Sequence, residues 1–243
     1  LWLEAHNPNE PLNFLDHHIK CGNAIVGLAH FEELQNGIAT EAFKTLPGDD
    51  KDFAATLRKK NTAERKTKQI STFDTEKEDV NLQGIQKEFA AFVALPESSP
   101  EEIATKEEAY KKLTTDKKWY RLKNLADLQV AQFFIPKTLE NREKITTNDK
   151  YKTYLNSGAQ IIDRGAASAM AVEKRFFHWF LEFPQVFSNG GFDCILGNPP
   201  FKGDRRLKEA YGEKFLEWIR TKFTDGATID LVGYFFLRIN ELI

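Results

Sequence analysis

The sequence predicts an α/β fold that is interrupted by a large all-α insertion, so that the chain is predominantly helical overall. Short apolar runs bounded by glycines lie near both ends of the 243-residue chain, as expected of strands in a parallel sheet. Between them, the chain is rich in Lys, Glu, Ala, Leu and Gln, and its apolar residues recur at helical spacing. We therefore divide it into an N-terminal core piece (1–28), a helical insertion (29–180) and a C-terminal core piece (181–243).

The N-terminal core piece contains one short strand-like segment, residues 19–27. Gly22 and Gly27 bound its apolar stretch, and glycines commonly mark the ends of such segments. Asn23 is the polar residue between these two glycines.

The helical insertion has clear start and stop signals. Ser99 offers a helix cap with Pro100 at the first helical position, which predicts a helix over residues 99–113. A second helix is expected to pass through Leu125 and Leu128 and to end before Pro136. Two more are predicted over residues 151–162 and 166–181.

The C-terminal core piece contains the most informative pattern. Residues 192–197 form an apolar run, as expected of a strand that is buried on both faces. Asn198, Pro199, Pro200 and Phe201 follow it directly. Two helices are predicted after this elbow, over residues 207–223 and 230–243.

The elbow carries groups suited to binding a flat heterocycle. Two successive prolines cannot continue a strand, so they fix a turn at the end of the run, where open α/β sheets bind ligands. Asn198 and Pro199 offer carbonyl acceptors for an exocyclic amino group, and Phe201 offers a ring face for stacking. The alternative is a surface turn with a buried Phe201, because Asn and Pro are common in turns.

Two segments of the sequence resemble one known family. Residues 192–201 look like the catalytic motif of amino-group DNA methyltransferases, (Asn/Asp)-Pro-Pro-(Tyr/Phe), here in its Asn-Pro-Pro-Phe form. Residues 14–27 resemble the cofactor-adenine segment of the large type II adenine-specific DNA methyltransferases, which occur in restriction–modification and phage-defence systems. Residues 229–236 are similar to the helix that follows the catalytic motif there. The chain therefore resembles a fragment of the catalytic region of such an enzyme.

The resemblance implies a partial Rossmann-like core of a class I methyltransferase. Adenine would flip out of double-stranded DNA, stack on Phe201 and donate its amino protons to Asn198 and to the carbonyl of Pro199. The methyl group would come from S-adenosyl-L-methionine, whose adenine would bind Asn23, with Pro200 stiffening the elbow. The alternative for Asn23 is a loop residue after a glycine. The reaction would need no metal and no covalent intermediate.

One part of the family pattern is missing. The glycine-rich cofactor loop would contain Gly-x-Gly, which occurs nowhere in this sequence. We therefore expect the chain alone to be inactive in methylation and to bind S-adenosyl-L-methionine weakly or not at all. Double-stranded DNA would bind through the full-length protein.

Composition narrows the remaining possibilities. The net charge of -2 argues against a complete DNA-binding unit, because such units are usually basic. The basic run Arg58-Lys59-Lys60, with Arg65, Lys66 and Lys68, could follow DNA phosphates, but nearby acids favour a solvated helix face. Cys21 and Cys194 are predicted to be reduced and buried. No signal peptide or membrane span is apparent, which predicts a cytoplasmic protein of undetermined oligomeric state.

Two alternative functions remain open on the sequence. The first is a helical scaffold that binds DNA or a protein partner and has no activity of its own. The second keeps the enzyme class but changes the substrate, because protein-glutamine and RNA adenine methyltransferases carry a similar signature.

Overall fold

The computed structural model describes residues 14–67, 82–157, 164–201 and 203–243. Within these ranges the chain is predominantly helical, as predicted. The only β-type pairing in these ranges is an isolated parallel bridge between Asn23 and Phe176. Short 3-10 helices occupy Phe31–Asn36, Thr40–Phe43 and Leu139–Lys144. The α-helices are α1 (Lys51–Lys66), α2 (Leu82–Val93), α3 (Pro100–Thr114), α4 (Lys117–Ala131), α5 (Asn148–Ser157), α6 (Arg164–Lys174), α7 (Trp179–Glu182), α8 (Pro184–Ser188), α9 (Asp204–Phe223) and α10 (Leu231–Leu242).

Side-chain caps stabilise the starts of α1 and α3. The Asp50 carboxylate accepts a hydrogen bond from the Phe53 N–H at 2.9 Å, and the Ser99 hydroxyl accepts one from the Glu102 N–H at 3.2 Å. Such caps satisfy backbone donors that have no partner within the helix. The predicted helix that begins at Ser99 and Pro100 is confirmed, as is the predicted helix that ends before Pro136.

The main hydrophobic core surrounds α4. All residues from Leu125 to Ala131 are buried, because other helices cover this helix on every side near its C-terminal end. The core takes residues from each of the three predicted pieces of the chain, for example Ile25, Leu128 and Trp218. The domain boundaries at residues 28 and 180 stay predictions.

A second, smaller apolar cluster contains Phe14, Phe89 and Phe92. Tyr110 of α3 packs against it, with its ring centroid 5.5 Å from that of Phe14. The N-terminal segment is therefore held by α2 and α3. This cluster places residues 14–20 beside the candidate site described below.

Several sequence predictions need correction. The predicted buried strand over residues 192–197 is wrong, because the segment is irregular and Leu196 is 93% exposed. A parallel strand requires a neighbour that takes its backbone groups. Within the run 192–197, Phe192 alone makes a backbone hydrogen bond to another described segment, from its N–H to the Leu242 carbonyl at 2.8 Å. The predicted parallel sheet is not formed within these ranges, and the Rossmann-like core stays a prediction.

The cysteine prediction is wrong in one respect. Cys21 and Cys194 are both free, as predicted, but both are exposed. Cys194 was predicted to be buried because it lies in the apolar run that was interpreted as a strand. Without a sheet around this run, its thiol faces outward.

The helices predicted toward the end of the insertion and beyond it differ in detail. Helix α5 ends at Ser157, and residues 158–162 of its predicted range lie outside the described residues. The helix predicted over 166–181 is broken, because Arg175 has φ 54° and the chain then runs extended to α7. The helix predicted over 207–223 contains a break at Gly212, with φ 80°. The final predicted helix is confirmed as α10, with Asp230 as its N-cap residue.

Candidate functional site

An open groove of about 370 Å³ separates the N-terminal segment from the segment that precedes the elbow. Its volume is within the range of about 300–1,000 Å³ typical of small-molecule sites. One wall comes from the N-terminal segment, and the opposite wall comes from the run that precedes Asn198. The lining residues are His18, Lys20, Gly22, Ala24, Phe177, Trp179, Phe183, Phe192, Cys194, Ile195 and Leu196.

Aromatic rings form the floor of the groove. The rings of Phe177 and Trp179 meet edge to face with centroids 4.8 Å apart, and Trp179 and Phe192 do so at 5.8 Å. Edge-to-face packing of this kind is favourable and fixes ring orientation. The Trp179 indole N–H also donates a hydrogen bond to the Ala24 carbonyl at 2.9 Å. The floor is therefore rigid and offers apolar surface to a flat ring.

The segment around Asn23 (residues 22–28, called the Asn23 segment below) packs directly against the extended residues between α6 and α7. The Asn23 N–H donates to the Arg175 carbonyl at 2.7 Å, and the Phe177 N–H donates to the Val26 carbonyl at 2.8 Å. A Cβ atom on Gly22 would overlap the Phe177 ring, and one on Gly27 would overlap the Phe177 carbonyl oxygen. Both glycines are therefore needed for this close approach.

Side chains from the C-terminal helices hold the other side of the same segment. The Trp218 indole N–H donates to the Ile25 carbonyl at 3.0 Å, and the Arg238 guanidinium donates to the Gly27 carbonyl at 2.7 Å. Arg238 is only 1% exposed, and burial lowers the pKa of its guanidinium despite the neighbouring Glu241. Donors from residues about 200 positions away therefore satisfy carbonyls that would otherwise be buried without partners.

An ion-pair network extends from Arg238. Its guanidinium pairs with Glu241 at 2.7 Å, and Lys222 joins Glu241 at 2.9 Å to Glu33 at 2.6 Å. Burial alone would raise the pKa of Glu33, but Lys222 holds it below its ordinary value. The network ties α9 and α10 to the chain that follows the Asn23 segment.

A buried histidine fixes the end of this segment. The Leu28 N–H donates to His178 Nδ1 at 3.2 Å, and His178 Nε2 lies 3.0 Å from Asp127 Oδ1. Because Nδ1 accepts, we assign the proton to Nε2, which donates it to Asp127. Lys123 pairs with the other Asp127 oxygen at 2.6 Å. This arrangement connects α4 of the helical insertion to the groove.

The predicted elbow residues follow the groove-lining residues Cys194, Ile195 and Leu196 in the chain but do not line the groove themselves. Asn198, Pro200 and Phe201 are exposed, and Pro199 is half-buried. Phe201 is 77% exposed, so its ring is available for stacking rather than packed into the core. No hydrogen bond engages the Asn198 amide within the described ranges. The structure brings residues 194–196 to the groove and leaves the elbow facing solvent beside it.

Asn23 does not line the groove, whereas its neighbours Gly22 and Ala24 do. Its side-chain oxygen accepts a hydrogen bond from the Ile25 N–H at 3.3 Å. The side-chain NH₂ group has no hydrogen-bond acceptor among the described residues. This NH₂ group is the part of Asn23 that remains able to bind a ligand.

The sequence did not identify several residues that shape this site. The run Phe176–Phe180 signalled only a core or a seam between the insertion and the sheet, whereas Phe177 and Trp179 form the groove floor. Arg238 and Trp218 carried no local signal at all. Their partners are 211 and 193 residues away in the chain, and a single sequence does not reveal such pairs.

The described residues contain no group of three or more His, Cys, Asp or Glu side chains that could hold a metal ion. No described helix is both long enough and apolar enough to cross a membrane.

The comparison with protein families gives one match. The sequence matches the family model described as Eco57I restriction-modification methylase, over residues 1–243. Neither a curated protein nor a solved structure matches the chain. The matched range includes both walls of the groove, the elbow and the helices between them.

Proposed function

Since this chain belongs to the Eco57I restriction-modification methylase family, we propose that it is part of an adenine-specific DNA methyltransferase. The enzyme transfers a methyl group from S-adenosyl-L-methionine to the exocyclic amino group of adenine in double-stranded DNA. One observation supports this proposal: Gly22 and Ala24, on either side of Asn23, line the same groove as residues 194–196, which lead into Asn198, Pro199, Pro200 and Phe201.

The groove fits part of S-adenosyl-L-methionine, which supplies an electrophilic methyl group when bound. Its aromatic lining suits the flat adenine ring of the cofactor. Asn23 does not itself line the groove, so its free NH₂ group donates to a ring nitrogen only if the cofactor extends past Gly22 or Ala24. Lys20 at the rim is already paired with Glu182 at 3.2 Å. Because this pairing already neutralises Lys20, the residues present fit the nucleoside end of the cofactor better than they fit an anionic ligand.

The elbow fits the target base. The exposed ring of Phe201 can stack on a flipped adenine, and the carbonyls of Asn198 and Pro199 can accept its two amino protons. Holding the nitrogen lone pair in line with the methyl carbon accounts for most of the expected catalysis. Alignment of two reactants is worth about 7–11 kcal/mol.

The test is methyl transfer by the full-length protein. We expect duplex DNA incubated with isotopically labelled S-adenosyl-L-methionine to yield labelled N6-methyladenine, detected by mass spectrometry of the nucleosides. Label on the N4 position of cytosine would show that the elbow binds a different base. If no label appears in DNA, the proposal fails. The alternative is then a helical scaffold that binds DNA or a protein, which the predominantly helical architecture favours.

A second experiment tests the cofactor site without requiring activity. Cys194 lines the groove, whereas Cys21 is exposed but does not line it. In the full-length protein, S-adenosyl-L-methionine is expected to slow maleimide alkylation of Cys194 about tenfold or more at saturation, because bound ligand excludes the reagent. Cys21 is the internal control, and its alkylation rate is expected not to change. Equal protection of both thiols, or of neither, would place the cofactor elsewhere.

A further inference from the structure

Helix α1 carries a basic stripe on its exposed face. The stripe consists of Arg58, Lys59 and Lys66, and the small residues Ala55, Thr62 and Ala63 lie beside them on the same face. These six residues line a shallow surface groove of about 490 Å³. No ion pair or hydrogen bond engages the three basic side chains within the described part of the chain.

The acids near the stripe in sequence are directed away from it. Asp49 accepts the Lys137 N–H at 2.9 Å, and Asp50 caps α1 by accepting the Phe53 N–H at 2.9 Å. Glu64 accepts hydrogen bonds from the Thr147 hydroxyl at 3.0 Å and the Asp149 N–H at 2.9 Å. In the sequence, these acids favour the interpretation of the basic run as a solvated helix face. Asp49 and Glu64 are thus engaged by other parts of the chain, and Asp50 is engaged by the first turn of α1 itself. Asp52 is exposed and is the acid that remains near the stripe.

The opposite face of α1 is anchored to the rest of the protein. Ala54, Leu57 and Asn61 are buried, and the Arg65 guanidinium donates to the Asn36 carbonyl at 2.7 Å. Asn61 also donates to the Ile38 carbonyl at 3.0 Å. The stripe is therefore presented by a fixed helix, and Arg65 does not belong to it.

We propose that this stripe binds the phosphate backbone of double-stranded DNA. Eight residues of helix separate Arg58 from Lys66, a rise of about 12 Å. One strand of DNA carries a phosphate about every 3.4 Å along the helix axis, so the stripe spans about three successive phosphates. The small residues between the cations allow a close approach of the backbone. A membrane surface fits less well, because helices that lie on membranes bury large apolar side chains. The choice of DNA rests on the proposed function.

The experiment uses the full-length protein and a 30-base-pair duplex without a designed recognition site. In the triple variant, Arg58→Gln, Lys59→Gln and Lys66→Gln are combined. The matched control combines Lys87→Gln, Lys112→Gln and Lys117→Gln, which removes the same charge from exposed positions on α2, α3 and α4. Dissociation constants are measured by fluorescence anisotropy across a series of salt concentrations.

Loss of three phosphate contacts is expected to weaken binding about tenfold or more at low salt. It should also flatten the slope of log K against log salt by about 2.7, from about 0.9 per contact. The control variant should bind like the wild type. A gain variant, Ala63→Lys, adds a fourth cation at an exposed position and is expected to tighten binding and steepen the slope.

Two outcomes would overturn the proposal. One is that both triple variants bind DNA equally more weakly than the wild type, and the other is that the stripe variant binds DNA as tightly as the wild type. Failure of the proposed methyl transfer is distinguishable, because the wild type would then bind DNA through the stripe but leave no methyl label. S-adenosyl-L-methionine protection of Cys194 should be unchanged in the stripe variant.

Discussion

Replacing Phe201 with alanine in the full-length enzyme is expected to lower kcat/KM for adenine methylation by about 5- to 150-fold. This range corresponds to the roughly 1–3 kcal/mol that a base–aromatic stack contributes. Because Phe201 is 77% exposed, the substitution removes no core packing, and the free energy of unfolding should change by less than about 0.5 kcal/mol. Initial rates at saturating S-adenosyl-L-methionine measure the effect.

Two further variants separate stacking from a general loss of apolar surface. Phe201→Tyr keeps an aromatic face and should retain most of the activity. Phe236→Ala removes a similarly exposed ring, 65% exposed, from α10 and should have no effect on the rate. Unchanged activity in Phe201→Ala would show that the ring does not contact the base.

Replacing Asp127 with alanine is expected to lower the free energy of unfolding of this chain by about 1.5–3 kcal/mol, the range for a buried hydrogen bond to a charged group. The buried His178 Nε2 donor loses its acceptor, whereas Lys123, whose side chain is 32% exposed, can turn to solvent. Urea denaturation followed by circular dichroism measures the change.

Asp127→Asn keeps an oxygen that can accept the His178 proton, so it should be less destabilising than Asp127→Ala. Glu140→Ala, at an exposed position, should change stability by less than about 0.5 kcal/mol. If Asp127→Ala were no more destabilising than Glu140→Ala, the Asp127–His178 pair would not hold the insertion to the groove.

Local signals in the sequence predicted local structure well. Ser99 and Pro100 predicted the start of α3, because a cap and a fixed φ act within one helical turn. Asp230 likewise precedes α10. The break after Lys174 was missed because the pairing of Phe177 with Val26 outweighs the helical preference of its own neighbours.

Non-local structure could not be predicted in the same way. The run over residues 192–197 has the composition of a buried strand, but a strand exists only where a neighbour takes its backbone bonds. For the candidate site, the elbow and the Asn23 segment are predictions from their motifs. The groove floor was not predicted, because Trp179 and Phe192 become neighbours only through the fold.

The contacts of the Asn23 segment also constrain how this protein reaches its native state. Leu28 and His178 are separated by 150 residues, and Gly27 and Arg238 by 211. Closing loops of this length has an entropic cost before the contacts form, and a high contact order slows folding. We expect the helices of the insertion to form before these long-range contacts, because their own sequence favours them. In a nascent chain, the hydrogen bond from Arg238 to Gly27 cannot form until α10 has been synthesised.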